Sequence, residues 1–200
     1  MLEAIDLTAR RGSAVLFTRL RLRVDAGRAL LITGRNGSGK TTLLRILAGL
    51  TQPEEGRVTI NGEPAYAMRA HMAFAGHAAA LKDELTVEEN LRALVELSGE
   101  TATVEAVRAA LVGVELSQQR ELPARALSAG QRRRVGLARL ALLPRALWLL
   151  DEPATALDAA GLDSLTQMIA QQLAIGGTVI AATHQAFDLP TERTATLALS

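Results

Sequence analysis

The stretch GRNGSGKT, residues 34–41, matches the phosphate-binding pattern G-x-x-x-x-G-K-[ST]. Its glycines permit a backbone in which successive N–H groups turn inward, and a helix that starts after them contributes its positive end. Lys40 can then reach the β and γ phosphates, while the Thr41 hydroxyl is placed to coordinate Mg²⁺. A glycine-rich loop without a ligand is the alternative. We assign phosphate binding to Gly34, Arg35, Asn36, Gly37, Ser38, Gly39, Lys40, Thr41 and Thr42.

Two carboxylates, Asp151 and Glu152, directly follow the apolar run ALWLL. They emerge at the carboxyl end of a strand, which is where ligands bind in open α/β sheets. We expect Asp151 to join the Mg²⁺ shell and Glu152 to orient and deprotonate an attacking water. A structural acidic cap on the strand is the alternative, and the phosphate loop upstream weighs against it.

A second helix start lies in LSAGQRRRVGLARLAL, where Ser128 and Gln131 have the spacing of a capping box. The serine hydroxyl and the free N–H groups around Gly130 predict a second anion site. The run Arg132–Arg134 could contact nucleic acid, but most charge runs form a solvated helix face. Since the chain has one Trp and one Tyr for base stacking, we expect a solvated face and no nucleic acid.

Apolar patterns around these motifs predict the elements that position them. ALLITG is a buried strand that ends at the phosphate loop, and KTTLLRILAGL is a helix whose C-cap we expect near Gly49. GRVTING reads as a short edge strand closed by an Asn-Gly turn. The middle is helical, with a capping box at Thr86 and Glu89. The chain then returns to strand, helix and strand in ALWLL, AAGLDSLTQMIAQQLA, TVIAAT and TATLALS.

We therefore expect one α/β domain over residues 1–200, with a core at approximately 1–76 and 140–200 and a helical subdomain at approximately 77–139. An apolar fraction of 48 % supplies a substantial core, and the absence of cysteine excludes disulfides and thiolate metal sites. A net charge of +1 gives no overall basic field. The N-terminal residues lack the layout of a signal peptide, and the most apolar region is too short to span a bilayer, so we expect a cytoplasmic protein.

Five motifs, GRNGSGKTT, LSAGQ, LWLLDEP, ATALD and TVIAATH, stand in the order and spacing of an ATP-binding cassette (ABC) ATPase. The resemblance covers essentially the whole chain. It implies a P-loop NTPase (RecA-like) core with an N-terminal antiparallel β subdomain and an inserted α-helical subdomain. It also implies MgATP hydrolysis by a head-to-tail homodimer, in which the phosphate loop of one chain faces Ser128, Ala129, Gly130 and Gln131 of the other.

The same resemblance implies roles for two further residues. Asp158, in ATALD, would communicate across the dimer. His184 would contact the γ-phosphate and hold Glu152 and the attacking water in place. A surface histidine at the end of a strand is the alternative for His184.

Two positions depart from the common family pattern. Arg11 stands where many of these ATPases stack an aromatic ring on adenine, and it either stacks there itself or faces solvent. His77 replaces the usual glutamine at the hinge between core and helical subdomain. We expect His77 to couple the two parts rather than to bind metal, since no second ligand stands at suitable spacing.

The stretch AFAGHAAALKDELTVEENL is similar to the ATP-binding subunit of the haem exporter of cytochrome c maturation. This resemblance implies an integral membrane permease subunit, other cytochrome c maturation membrane proteins as partners, and a peripheral location on the cytoplasmic face of a bacterial inner membrane. The alternatives are an ATPase of another small transporter, for lipids, lipoproteins or ions, and a soluble cassette ATPase of ribosomes or DNA. No residue of the chain itself identifies haem as the substrate.

Overall fold

A computed structural model describes residues 1–76 and 78–199, whose contacts divide the chain into two compact units. The first unit comprises Met1–Phe74, Arg145–Glu152 and Ala170–Ser200. The second comprises Ala75–Pro144 and Pro153–Ile169. The expected division into a core at approximately 1–76 and 140–200 and a helical subdomain at approximately 77–139 stays a prediction.

The strands and α-helices of the described residues include those predicted from the apolar patterns, in the predicted order. They are β1 Leu2–Arg11, β2 Ala14–Val24, β3 Ala29–Gly34, α1 Lys40–Leu47, β4 Glu55–Ile60, β5 Glu63–Pro64, β6 Met72–Ala75, α2 Val87–Glu96, α3 Val104–Gly113, α4 Ala129–Leu142, β7 Leu147–Asp151, α5 Ala159–Ala174, β8 Thr178–Ala182 and β9 Thr194–Leu199.

The sheet that carries the site has the order β6-β7-β8-β3-β9 among the described residues. Strands β7, β8, β3 and β9 pair in parallel. All five residues of β7 and of β8 are buried, as expected for strands covered on both faces. Because β3 and β7 run in the same direction, their carboxyl ends bring the phosphate loop and the acidic pair to one edge of the sheet.

The other sheet of the first unit is antiparallel, in the order β2-β1-β4-β5. Its apolar residues join those of the parallel sheet and α1 in one core, which includes Leu7, Ile32 and Leu44. Asn61 and Gly62 both have positive φ, so the expected Asn-Gly turn is present. The expectation that the preceding strand lies at an edge was wrong, because the two residues of β5 pair with the far side of β4.

The second unit is helical and has its own core. Val87 and Leu91 of α2, Leu111 of α3 and Val135 of α4 are fully buried against one another. The predicted capping box of α2 is present, and Glu89 accepts hydrogen bonds from the backbone N–H and the hydroxyl of Thr86. These bonds hold the pKa of the Glu89 carboxyl below its ordinary value. The α/β class, with its antiparallel sheet and helical insertion, is confirmed.

None of the helices described is both long enough and apolar enough to cross a bilayer.

Candidate functional site

The phosphate loop connects β3 to the N-terminus of α1. Gly39 caps this helix with a φ of 99° and offers no side-chain hydrogen bond, whereas Thr86, Thr103 and Ser128 each cap their helix through a hydroxyl. The first turn of α1 therefore presents N–H groups without a side-chain acceptor. Ser38 Oγ is also buried and has no hydrogen-bond partner among the described residues. An uncapped helix start beside an unpaired hydroxyl fits a phosphate group.

Lys40 lies at the mouth of this loop and is 7 % exposed. Its ammonium group donates to the carbonyl oxygen of Gly34 at 2.8 Å and lies 2.9 Å from His184 Nε2. Glu152 Oε1 is 3.6 Å from Lys40 Nζ. The positive charge is thus held inside the loop, where it can meet the phosphates of a nucleotide.

Thr41 and Asp151 meet although 110 positions separate them in the sequence. The Thr41 hydroxyl lies 3.0 Å from each carboxylate oxygen of Asp151, which is a buried residue. A hydroxyl and a carboxylate are oxygen ligands of the kind that Mg²⁺ takes together with substrate phosphates. No cluster of three or more His, Asp or Glu side chains suited to a metal occurs in residues 1–76 and 78–199. The donor set therefore fits a Mg²⁺ ion that is completed by phosphate oxygens and water.

Glu152 has an unusual backbone for a non-glycine residue, with a φ of 47°. Its N–H donates to the carbonyl oxygen of Ala182 at 2.8 Å, so the first residue after β7 is fixed to the end of β8. Left-handed backbone at a residue with a side chain costs about 1–2 kcal/mol and is concentrated at functional sites. The strain turns the carboxylate toward Lys40 and His184.

His184 follows β8 and is brought to the same place. Its Nε2 lies 3.0 Å from Asn36 Oδ1 and 3.3 Å from Glu152 Oε1, in addition to its contact with Lys40. One ring nitrogen cannot accept from Lys40 and donate to an oxygen in the same tautomer. A change of tautomer therefore exchanges the partners of His184 Nε2, which suits a group that responds to a bound phosphate.

A cavity of about 240 Å³ adjoins the phosphate loop. The residues that line it include Arg11 at the end of β1, Leu16 of β2, Thr42 and Glu152. The predicted adenine position thus faces the same cavity as the loop. Leu16 was not predicted, and a half-buried residue of an alternating strand gives no signal that would have singled it out.

Thr183 is a second residue that the sequence analysis did not identify. It is buried, and its hydroxyl accepts a hydrogen bond from the Gln185 N–H at 3.0 Å, which fixes the turn that carries His184. Threonine often forms a turn by accepting a hydrogen bond from the backbone N–H two residues later. The local sequence could therefore have indicated the role of Thr183.

The second predicted anion site lies in the helical unit. Ser128 and Gln131 form the expected capping box at the start of α4: the Gln131 N–H donates to Ser128 Oγ at 3.2 Å. A Cβ on Gly130 would lie 2.5 Å from the carbonyl oxygen of Ala156, so only glycine fits there. Asp158 accepts from the N–H of Gly161 at the start of α5. We call Ser128–Gln131 the signature residues and α4, which they begin, the signature helix. Through Gly130 the signature residues pack against the segment that carries Asp158.

The arginine run after the capping box is not the solvated helix face that its charge suggested. Arg133 is 7 % exposed, and the Arg134 side chain, 13 % exposed, lies within 3.4 Å of both Glu115 and Asp158 carboxylates. Arg132 pairs with Asp83 at 2.7 Å. Long-range partners, which the local sequence does not show, draw these charges into the unit.

His77 lies outside the described residues, so its expected role as a coupling hinge stays a prediction.

Comparisons with known proteins identify the family of the chain. A family model described as ABC transporter matches residues 17–155. The cytochrome c biogenesis ATP-binding export protein CcmA of Pseudomonas aeruginosa is 44 % identical over 198 residues, covering 97 % of this chain and 98 % of the relative. The protein of the same name from Aromatoleum aromaticum is 49 % identical over 190 residues, covering 92 % and 89 %.

Among solved structures, a dimeric post-hydrolysis state of the ATP-binding cassette MJ0796 bound to ADP and Pi is similar to this chain. It has a TM-score of 0.80 at 26 % identity and covers 92 % of this chain and 88 % of that one. The chain belongs to the ABC transporter family of ATPases and, within it, to the group of the cytochrome c biogenesis ATP-binding export proteins.

Proposed function

We propose that this chain binds and hydrolyses MgATP as the ATPase subunit of a complex that exports haem, or releases a haem-loaded chaperone, during cytochrome c biogenesis. The observation that carries the catalytic part is the meeting of Lys40, Glu152 and His184 at the mouth of the phosphate loop. The near full-length identity to cytochrome c biogenesis export ATPases supports the transport part.

The side chains divide the chemistry among them. The loop N–H groups and Lys40 hold the β and γ phosphates. Glu152 orients a water for attack on the γ-phosphorus and takes its proton, while the bond to the β,γ-bridging oxygen breaks and ADP leaves. When a phosphate oxygen accepts from Lys40, His184 Nε2 is released to donate to that phosphate or to Glu152. Thr41 and Asp151 would hold Mg²⁺, which would act as a Lewis acid and neutralise charge on the phosphates.

We further propose that two copies act head to tail, with Ser128–Gln131 of each copy placed on the nucleotide of the other. Solved cassettes of this family form dimers, and one of them holds ADP and Pi. Each copy has an uncapped anion site at the start of α1 and a second helix start at α4, and the two lie in different units of the chain. Each copy would thus supply the phosphate loop of one nucleotide site and the α4 start of the other. An integral membrane permease subunit and other cytochrome c maturation membrane proteins would hold this dimer at the cytoplasmic face of the inner membrane.

Glu152→Gln tests the catalytic assignment. The amide keeps the shape of the side chain but cannot take a proton, so we expect ATP binding to persist while turnover falls about 100-fold or more. Adding MgATP should shift the variant to twice its mass in light scattering, because the nucleotide that closes the dimer is not consumed. Normal turnover by Glu152→Gln would remove Glu152 from the catalytic role.

Complementation tests the transport assignment separately. In a bacterium that lacks its own export ATPase of cytochrome c biogenesis, the wild-type chain should restore haem-stained c-type cytochromes, and the Glu152→Gln chain should not. Restored ATPase activity in membranes without restored cytochromes would contradict the haem assignment and leave the ATPase assignment standing.

A further inference from the structure

Arg133 is a buried arginine on α4 whose guanidinium holds two separate backbone segments. Its Nη1 donates to the carbonyl oxygen of Gly76 at 2.6 Å, and its Nε donates to the carbonyl oxygen of Pro153 at 3.2 Å. Both bonds are charge-assisted, and the residue is 7 % exposed. The side chain therefore connects the backbone at Gly76 with the backbone at Pro153, which is 77 positions further along the sequence.

The two segments are those that adjoin the proposed hinge and the proposed catalytic carboxylate. Gly76 directly precedes His77, and Pro153 directly follows Glu152. The chain also passes from the first unit to the second within two residues of each carbonyl, after Phe74 and after Glu152. Inside the second unit, Arg133 thus holds the backbone at the start of both segments, at the second residue of one and the first of the other.

Neighbouring positions on the same face of α4 reach the same loop. Gly130 and Arg134, three positions before Arg133 and one after it, contact Ala156 and Asp158. Residues three and four apart share a helix face, so Gly130, Arg133 and Arg134 form one continuous contact with residues 153–158. Arg132 bonds instead to Asp83 and to the carbonyl oxygen of Ala124.

We propose that Arg133 is a positioning residue for ATP hydrolysis, which ties the orientation of the signature helix α4 to the backbone before His77 and after Glu152. A planar guanidinium presents its N–H groups in fixed relative directions, so the two carbonyl groups must move with the helix together. When the N-terminus of α4 meets nucleotide, both segments are placed with it. This inference rests on the proposed role of Glu152.

Arg133→Lys is the principal test, because lysine keeps the charge and most of the length but cannot make both bonds with fixed geometry. Arg132→Lys is the matched control on the adjacent position of the same helix. We expect Arg133→Lys to lower kcat for MgATP about tenfold or more with KM unchanged, as for a misplaced catalytic group, and Arg132→Lys to turn over like the wild type.

Hydrogen–deuterium exchange gives a readout that does not depend on activity. Peptides that cover residues 74–80 and 152–158 should exchange faster in Arg133→Lys than in Arg132→Lys, while peptides of the phosphate loop exchange equally in both. Arg133→Gln serves as a second variant, since it removes the buried charge and keeps one amide donor. Far-ultraviolet circular dichroism establishes that each variant is folded.

The results separate the two proposals. Wild-type kcat in folded Arg133→Lys and Arg133→Gln, or a loss of kcat matched by Arg132→Lys, overturns the positioning role. Slower turnover without faster exchange in the two peptides also overturns it. Glu152→Gln, measured in parallel, fails independently: normal turnover there refutes the catalytic role of Glu152 whatever the arginine variants do.

Discussion

The hydroxyl of Thr41, at the start of α1, contacts Asp151 and is also an expected Mg²⁺ ligand. It lies 3.0 Å from both oxygens of Asp151, and the same two groups are those expected to hold Mg²⁺. A hydroxyl that bonds a carboxylate keeps that carboxylate aimed at the phosphates before the ion arrives. Pre-orientation of this kind lowers the entropic cost of binding the ion.

Substituting Thr41 tests this arrangement. Valine has nearly the same shape but no hydroxyl, so Thr41→Val should raise the Mg²⁺ concentration for half-maximal ATP turnover about tenfold or more. Thr41→Ser keeps the hydroxyl and should stay near the wild type. An unchanged Mg²⁺ titration in Thr41→Val would argue that Asp151 and the phosphates suffice.

Glu152 shows how a single residue depends on its setting. Its φ of 47° is held by the bond from its N–H to Ala182, not by any preference of glutamate for that backbone. The strain is offset by the buried strands β7 and β8, which fix both ends of the contact. The backbone conformation of Glu152 therefore depends on the pairing of β7 with β8 in the parallel sheet.

At the scale of elements, the two helix starts that we propose to bind nucleotide differ in their capping. α1 has no side-chain cap, whereas α4 begins with a complete capping box at Ser128 and Gln131. Ser128 consequently has a structural role in its own chain and a proposed role on the nucleotide of the partner. A negatively charged residue that also caps a helix can separate these two roles, because it would keep the cap but repel a phosphate.

Ser128→Asp should separate them. Aspartate caps a helix about as well as serine, so the free energy of unfolding in urea should change by less than about 0.5 kcal/mol. Its negative charge should repel the γ-phosphate, so kcat should fall about tenfold or more. Ser128→Asn, which caps the helix about as well as aspartate but carries no charge, is the control and should leave both quantities near wild type. Full activity in Ser128→Asp would exclude the proposed contact with nucleotide.

At the scale of the whole molecule, one chain carries the phosphate loop and the signature helix in different compact units. In a closed dimer with two-fold symmetry, each of the two nucleotide sites would contain the phosphate loop of one copy and the start of α4 of the other. The chain would then be inactive alone, for a geometric reason and not for want of catalytic residues.

A mixing experiment tests this geometry. Lys40→Ala damages the phosphate loop and Ser128→Asp damages the signature, so each variant alone should have both sites broken. A dimer of one copy of each has one site with both halves intact, and the mixture should turn over ATP faster than either variant. If the mixture is no more active than its components, the sites are not shared between chains in this way.

The sequence by itself determined the elements and the motifs, because these depend on local properties. Apolar runs of strand length, helical spacing and capping pairs such as Thr86 and Glu89 act within a few residues. They predicted the strands β3, β4, β7, β8 and β9 and the helices α1, α2, α4 and α5. The phosphate loop was equally local, since its glycines, Lys40 and Thr41 all lie within residues 34–41. The two-residue strand β5 escaped prediction because its pairing partner, not its own composition, defines it.

Only the tertiary structure decided which groups meet. Lys40 and His184 are 144 positions apart, and the sheet order β7-β8-β3 brings them within 2.9 Å at one edge. The backbone strain at Glu152 and the burial of Arg133 are likewise set by distant partners. A run of three arginines looks solvated from its composition alone, because the carbonyl groups and carboxylates that take up its charge come from elsewhere in the chain.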